Sequence, residues 1–263
     1  MVRLIGSSVS ARAILHDIRE RQFRLLASSR SCAHSLTLTK RYFQARLGCF
    51  NKRPRLSGVN RVKKRWSMQT VVINLPERED RRESVTANFD QVKIHFELIP
   101  GVVHPIALAG CAQAHVNAIR SWTLDTFDLL MVCEDDVDFL ASNSALIDLI
   151  SEFYENPALD VLVLGNSTRG KSVRISANLS ITNHTQTASC YVLKPSAASA
   201  VVELFEFSRR MLERGEPESI YAHDILWIEL QRNSKIFAVP NRRVARQAPS
   251  YSDIQQQFVD YGI

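Results

Sequence analysis

The chain has 263 residues, enough for one good-sized domain or a domain with an appendage, and its 45% apolar content is ordinary for a globular protein. No run approaches the roughly 18 apolar residues of a membrane-spanning helix, no signal-peptide core opens the chain, and the five cysteines include no Cys-x-x-Cys pair, so neither a membrane span, a disulfide framework nor zinc is expected. The net charge of +6 conceals a division: residues 1–67 hold 16 Lys/Arg against 2 Asp/Glu, a balance of +14, while residues 68–263 hold 17 against 25, a balance of −8.

Residues 1–67 are rich in Arg and Ser and hold no lasting apolar period, so they are expected to be a disordered leader or to lie outside the native domain. Residues 14–26 could form one basic amphipathic helix, and residues 52–65 read as a flexible basic tail. The composition fits a transit peptide, an arm that grips nucleic acid or anionic lipid, or a natural start at Met68. Residues 68–263 are expected to form the domain.

From Thr70 the pattern is regular. A buried strand is predicted over Val71–Leu75 and is closed by Pro76. A charged helix over Glu77–Phe89 precedes a strand over Lys93–Ile99, in which Ile94, Phe96 and Leu98 alternate. Helices are predicted over Gly110–Trp122, Ser144–Tyr154, Ser196–Leu212 and Ser219–Gln231. Strands are predicted over Leu129–Cys133, Asp160–Gly165 and Ile236–Val239, with a polar β-like stretch over 172–193 whose best strand is Ala188–Leu193. The tail from Arg242 reads as irregular. Strands alternating with helices imply an α/β domain with a mostly parallel, covered sheet.

Chemistry concentrates at three places. The apolar strand ending at Cys133 runs directly into Glu134, Asp135, Asp136 and Asp138. Carboxylates so crowded repel one another unless solvent or a cation compensates, and a hard divalent cation takes oxygen ligands. The carboxyl end of a strand is where open α/β sheets bind ligands. The alternative is a solvated acidic loop. Arg78, Arg81 and Arg82 follow the first strand and can share one side of a helix turn. Their planar guanidinium groups suit phosphate; the alternative is a salt-bridged helix face with Glu77, Glu79, Asp80 and Glu83. Gly110 reads as a helix start whose amides could meet an anionic or polar ligand, and His115 follows it on a mostly apolar helix.

The order Ile73-Asn-Leu with Arg78-x-x-Arg81, then Gly110-Cys-x-x-x-His115, then Glu134-Asp-Asp-Val137 resembles glycosyltransferase family 25. Asp224 within Tyr221–Trp227 and the Ser252-Asp-Ile254 tail are also similar. The likeness spans roughly Thr70 to Tyr261. It departs at Gln113-Ala114, where the family usually has a serine before the histidine.

The resemblance implies a single GT-A (Rossmann-like) domain and a metal-dependent transfer of a hexose, galactose from UDP-galactose being the family's commonest use. The acceptor would be a hydroxyl of a glycan, glycolipid or lipooligosaccharide; the expected location is the cytoplasm, with peripheral contact at the inner face of a membrane through the basic leader. Glu134, Asp136 and Asp138 would hold Mn²⁺ or Mg²⁺. Asn74, Arg78, Arg81 and His115 would bind the nucleotide-sugar donor, and Asp224 would be the general base, its alternative role being a helix N-cap. Asp253 is the next acid in line. A nucleic-acid-binding protein working through its leader, or a Mg²⁺-dependent phosphoryl-transfer enzyme, are competing readings. Neither explains the whole pattern, since no nucleic-acid motif, P-loop or nucleophilic aspartate is evident.

Overall fold

Five consecutive fully buried residues, Leu129–Cys133, set the centre of the fold. Successive side chains of a strand point to opposite sides, so complete burial of such a run means that both faces of the sheet are covered. The computed structural model describes residues 66–168, 170, 172–252 and 257–260. The expectations for residues 1–65, and those for Asp253 and Ile254, lie outside the described residues.

In chain order the elements are strand β1 (Met68–Asn74), helix α1 (Glu79–Val92), β2 (Glu97–Pro100), α2 (Ala107–Arg120), β3 (Leu129–Glu134), β4 (Val137–Phe139), α3 (Asn143–Glu155) and β5 (Val161–Thr168). Then follow β6 (Ser172–Arg174), β7 (Leu179–Thr182), β8 (Thr185–Leu193), α4 (Pro195–Glu213), α5 (Glu218–Tyr221), α6 (His223–Asn233), β9 (Phe237–Pro240), β10 (Ala245–Gln247), β11 (Ser250–Ser252) and β12 (Gln257–Val259). An eight-stranded sheet has the order β2-β1-β3-β8-β5-β9-β7-β6. Only β8 and β7 run against the others, so the sheet is mostly parallel in strand direction, as the alternation of strands and helices predicts. No helix among the described residues is long and apolar enough to cross a membrane.

Several local differences from the sequence reading bear on the site. Helix α1 continues past Phe89 because Val92 is also buried, and it ends at Lys93 in the left-handed region (φ 52°). The strand expected from Lys93 is thereby shortened to β2, with Phe96 packed on Phe89 at 4.6 Å. Helix α2 starts at Ala107, so Gly110 lies inside it and its amide already bonds the Ile106 carbonyl at 3.1 Å. The glycine does not open a helix towards a ligand. It admits the Val102 carbonyl, which a Cβ would meet at 2.3 Å.

The single helix expected over Ser219–Gln231 breaks at Ala222 (φ −55°, ψ 138°) into α5 and α6. The Ser208 hydroxyl donates to the Tyr221 carbonyl at 2.6 Å beside the break, and His223 becomes the first residue of α6. The tail expected to be irregular instead forms β10, antiparallel to β4 with Arg246 opposite Asp138 and Gln247 opposite Val137. It then forms the small β11–β12 hairpin. Trp66 and Ser67, which charge alone places in the leader, bond to the domain: Trp66 Nε1 donates to Ser151 Oγ at 2.8 Å, and the Ser67 amide donates to Asp128 at 3.1 Å.

Candidate active site

The acidic strand end is divided by the geometry of the strand that carries it. Strands β1 and β3 are parallel with Ile73 opposite Glu134, which puts Asn74 level with Asp135. Neighbouring side chains leave a strand on opposite sides, so Glu134 and Asp135 enter different surroundings.

Asp135 enters a latch. Its carboxylate accepts from Asn74 Nδ2 and from Arg81 Nη1, both at 2.8 Å. Asn74 also donates to the Arg78 carbonyl at 3.1 Å and accepts from Arg82 Nε at 3.2 Å, so its amide is fully engaged within the protein. Arg81 extends to the C-terminal segment, donating to Ser250 Oγ at 3.0 Å and to the Tyr251 carbonyl at 2.6 Å. Asp136 lies beside this latch. One of its oxygens, Oδ2, accepts from Gln247 Nε2 at 2.9 Å, and its backbone carbonyl accepts from the Ala248 amide at 2.7 Å. The other oxygen, Oδ1, is buried without a hydrogen-bond partner. Burial, reinforced by the charge of Glu134, pushes the Asp136 carboxyl up to about 7, against the hydrogen bond from Gln247 and the charge of Arg81.

Glu134 turns instead towards a buried pocket between α2, β3 and α6. Cys111 and His115 sit one helical turn apart on α2 and so share a face. His115 is fully buried; its Nε2 lies 3.1 Å from Glu134 Oε1 and its Nδ1 lies 3.1 Å from the Tyr191 hydroxyl. Cys111 Sγ lies 3.8 Å from the same glutamate oxygen and 4.0 Å from His223 Nε2. Phe205 and Tyr191 line the pocket, with ring centroids 5.8 Å from that of His115. Desolvation holds both imidazoles down, His115 and His223 each to about 4. Burial raises Glu134, with Asp135 and Asp224 adding to the rise and His223 opposing it, and burial also raises the Cys111 thiol.

The structure thus separates the three acids expected to share a cation. Glu134 faces the histidine pocket, Asp136 faces the latch, and Asp138 is paired with Arg246 (Nε to Oδ2, 2.7 Å) on the outer side of β4. Among the described residues, the ligand atoms that gather within 4.8 Å of one another are those of Cys111, His115, Glu134 and His223.

The expected donor-binding set is divided as well. Asn74 and Arg81 meet at Asp135. Arg78 instead forms a two-pronged pair with Asp80 (2.9 and 2.8 Å), which holds that carboxyl down to about 2. His115 is on the far side of Glu134. Asp224 is the second residue of α6; Ala222 is the N-cap and no side chain caps this helix, so the capping role does not belong to Asp224. Its charge acts on Glu134, Cys111 and both histidines, so it stands near the acidic strand end.

Sequence reasoning missed Tyr191, whose signal was only its place in the best strand of the polar stretch. It also missed Gln247, which lay in the tail read as irregular. Cys111 and His223 were visible inside their motifs, without any sign that they would meet.

No protein-family model matches the chain, and no curated protein matches it. Among solved structures it is similar to A197 from STIV (11% identity, covering 73% of this chain and 93% of that one, TM-score 0.40). It is also similar to mannose-1-phosphate geranyltransferase from Thermus thermophilus (12%, 69% and 76%, TM-score 0.42). A third is the mannosyltransferase PcManGT from Pyrobaculum calidifontis in complex with GDP-Man and Mn²⁺ (11%, 82% and 62%, TM-score 0.34). At these scores the likeness carries no argument about activity.

Proposed function

We propose that the chain is a metal-dependent glycosyltransferase that takes a hexose from a nucleotide-sugar donor and passes it to a hydroxyl of a glycan or glycolipid. The observation that carries the reading is the buried, unpartnered Oδ1 of Asp136 beside Glu134, at the carboxyl ends of the parallel strands β1 and β3. An orphaned carboxylate oxygen next to a second acid fits a hard divalent cation, Mn²⁺ or Mg²⁺. Asp136 would hold it; Glu134 would join only by turning away from His115, and Asp138 only by releasing Arg246. When bound, the cation would neutralise charge on the departing nucleoside diphosphate.

The chain's own residues supply the rest. Arg81 lies at the same strand ends with its Nε unpartnered, and Arg78 is beside it; both suit the donor's phosphate oxygens. Asn74 orients Asp135, and through it Arg81. His115 holds Glu134 in place from the interior. Asp224, on the first turn of α6 and close enough to act on Glu134, would take the proton from the attacking acceptor hydroxyl. UDP-galactose as donor and a lipooligosaccharide as acceptor are the finer expectation from the family resemblance.

The test is hydrolysis and transfer by the purified full chain against a panel of nucleotide sugars, with Mn²⁺ and with excess chelator. Turnover with Mn²⁺ alone, abolished in Asp136→Asn, is expected. Asp224→Asn should leave UDP binding nearly unchanged and cut transfer by about 10²–10⁴-fold. Full turnover in chelator would remove the cation from the mechanism, and normal transfer by Asp224→Asn would assign the base to another acid.

A further inference from the structure

The pocket between α2, β3 and α6 contains a thiol, two imidazoles and one carboxylate, and the glycosyltransferase reading gives no task to the thiol of Cys111 or the imidazole of His223. The contacts run in a chain: His115 Nε2 to Glu134 Oε1 at 3.1 Å, Glu134 Oε1 to Cys111 Sγ at 3.8 Å, and Cys111 Sγ to His223 Nε2 at 4.0 Å. One ligand atom from each of the four residues lies within 4.8 Å of the others. Tetrahedral zinc, with bonds of about 2.0–2.3 Å to nitrogen, oxygen and sulfur, spaces its ligand atoms roughly 3.3–3.8 Å apart. The pocket is near that size already.

Hydrogen bonding alone accounts poorly for this arrangement. His223 is 4% exposed, its Nδ1 has no partner, and its Nε2 meets only a thiol at 4.0 Å. A buried imidazole so weakly satisfied calls for an explanation, such as a bound ion. His115 has what a ligating histidine has. With Nε2 turned to the cluster, its Nδ1 faces the Tyr191 hydroxyl at 3.1 Å, a partner that fixes the ring. Two side chains form the open side, because Cys111 and Glu134 are only partly buried while both histidines are closed off.

We infer that Cys111, His115, Glu134 and His223 form a binding site for a borderline transition-metal ion of the Zn²⁺ class, distinct from the hard cation at Asp136. A thiolate with two imidazoles selects such an ion over Mg²⁺ or Mn²⁺. Four protein donors fill a tetrahedral shell, which marks a structural ion rather than one with an open catalytic position. It would pin α2 and the start of α6 to the end of β3, and so hold His223 and the adjacent Asp224 in register with Glu134. The inference does not rest on the glycosyltransferase reading.

The test is titration of the full-length chain with Co²⁺ under a phosphine reductant. One equivalent should bring a thiolate-to-cobalt charge-transfer band in the near ultraviolet and intense tetrahedral ligand-field bands in the visible, both removed by Zn²⁺. Zn²⁺ should also raise the thermal midpoint. Cys111→Ser should lose the charge-transfer band. His223→Ala should lose Zn²⁺ affinity by more than the roughly 10–100-fold typical of removing a ligand's outer partner. Circular dichroism of each metal-free variant establishes that it is folded.

Asp136→Asn should keep the whole cobalt spectrum while losing donor turnover, so failure of either reading leaves the other standing. A wild-type chain with no charge-transfer band would overturn the inference, because its ligands include a thiolate. A band that persists in Cys111→Ser would assign the metal to another cysteine and overturn it equally.

Discussion

The two sides of the Glu134–Asp135 step are built on opposite terms. On the Asp135 side, Asn74, Arg81 and Asp135 satisfy one another through short charge-assisted hydrogen bonds, and Arg81 binds the C-terminal segment into the same arrangement. On the Glu134 side, four potential ligands crowd into an aromatic-lined pocket with few good hydrogen bonds between them. The first side is a nearly complete network that holds the chain together, with Arg81 Nε and the neighbouring Asp136 Oδ1 left without partners. The second leaves more of its ligand atoms without a good partner, which is where a transition-metal ion would bind. One residue step along a strand separates them, because alternate side chains face opposite ways.

The largest effect should come from breaking the Asp135 side. Arg81 and Asp135 have side chains only 15% and 7% exposed, so Arg81→Ala leaves a nearly buried carboxylate without its cation. A loss of about 3–5 kcal/mol is expected, read by urea unfolding. If Arg81 chiefly serves the donor diphosphate, stability will hold and UDP affinity alone will fall, by roughly ten- to a hundred-fold. The two measurements together decide which task dominates.

Next comes Gly110→Ala, which strikes the pocket from behind. The new methyl would lie 2.3 Å from the Val102 carbonyl, so α2 must move, carrying Cys111 and His115 with it. Overpacking of this kind costs about 1–3 kcal/mol; an unchanged urea midpoint would mean that the loop at Val102 yields freely.

Tyr191→Phe removes only the hydroxyl that faces His115 Nδ1. About 0.5–1.5 kcal/mol of stability should be lost. Zn²⁺ affinity should drop with it if the tyrosine orients a ligand, and should stay constant if the pocket is only packed core.

The smallest effect belongs to Arg246→Ala. Its partner Asp138 is 21% exposed and Arg246 itself 45%, so the pair should be worth no more than about 0.2–1 kcal/mol. A larger loss would show that β10 depends on this contact for its place beside Asp136.

The covered sheet, the acidic end of β3 and the arginines after β1 could all be read from the chain. Each rests on a local signal: an apolar run of strand length, charge crowding, or a helical period. What could not be read were the partners. Gln247 and Arg246 reach the acids through strand pairing across a separation of more than a hundred residues, and nothing in a short irregular-looking tail announces that pairing. Cys111, His115, Glu134 and His223 lack the close spacing that marks a zinc motif in sequence, so zinc was not expected. They meet because α2 and α6 pack beside the end of β3 and because the chain breaks at Ala222, placing His223 on the first turn of α6.

The chain by itself determined which residues could carry charge or chemistry and that strands and helices would alternate, since composition and periodicity are local properties. Tertiary structure alone decided which acid meets which partner. The direction of a side chain from its strand, the register of β1 on β3 and the return of β10 to β4 are relations between segments, and hydrogen bonding across the sheet sets them.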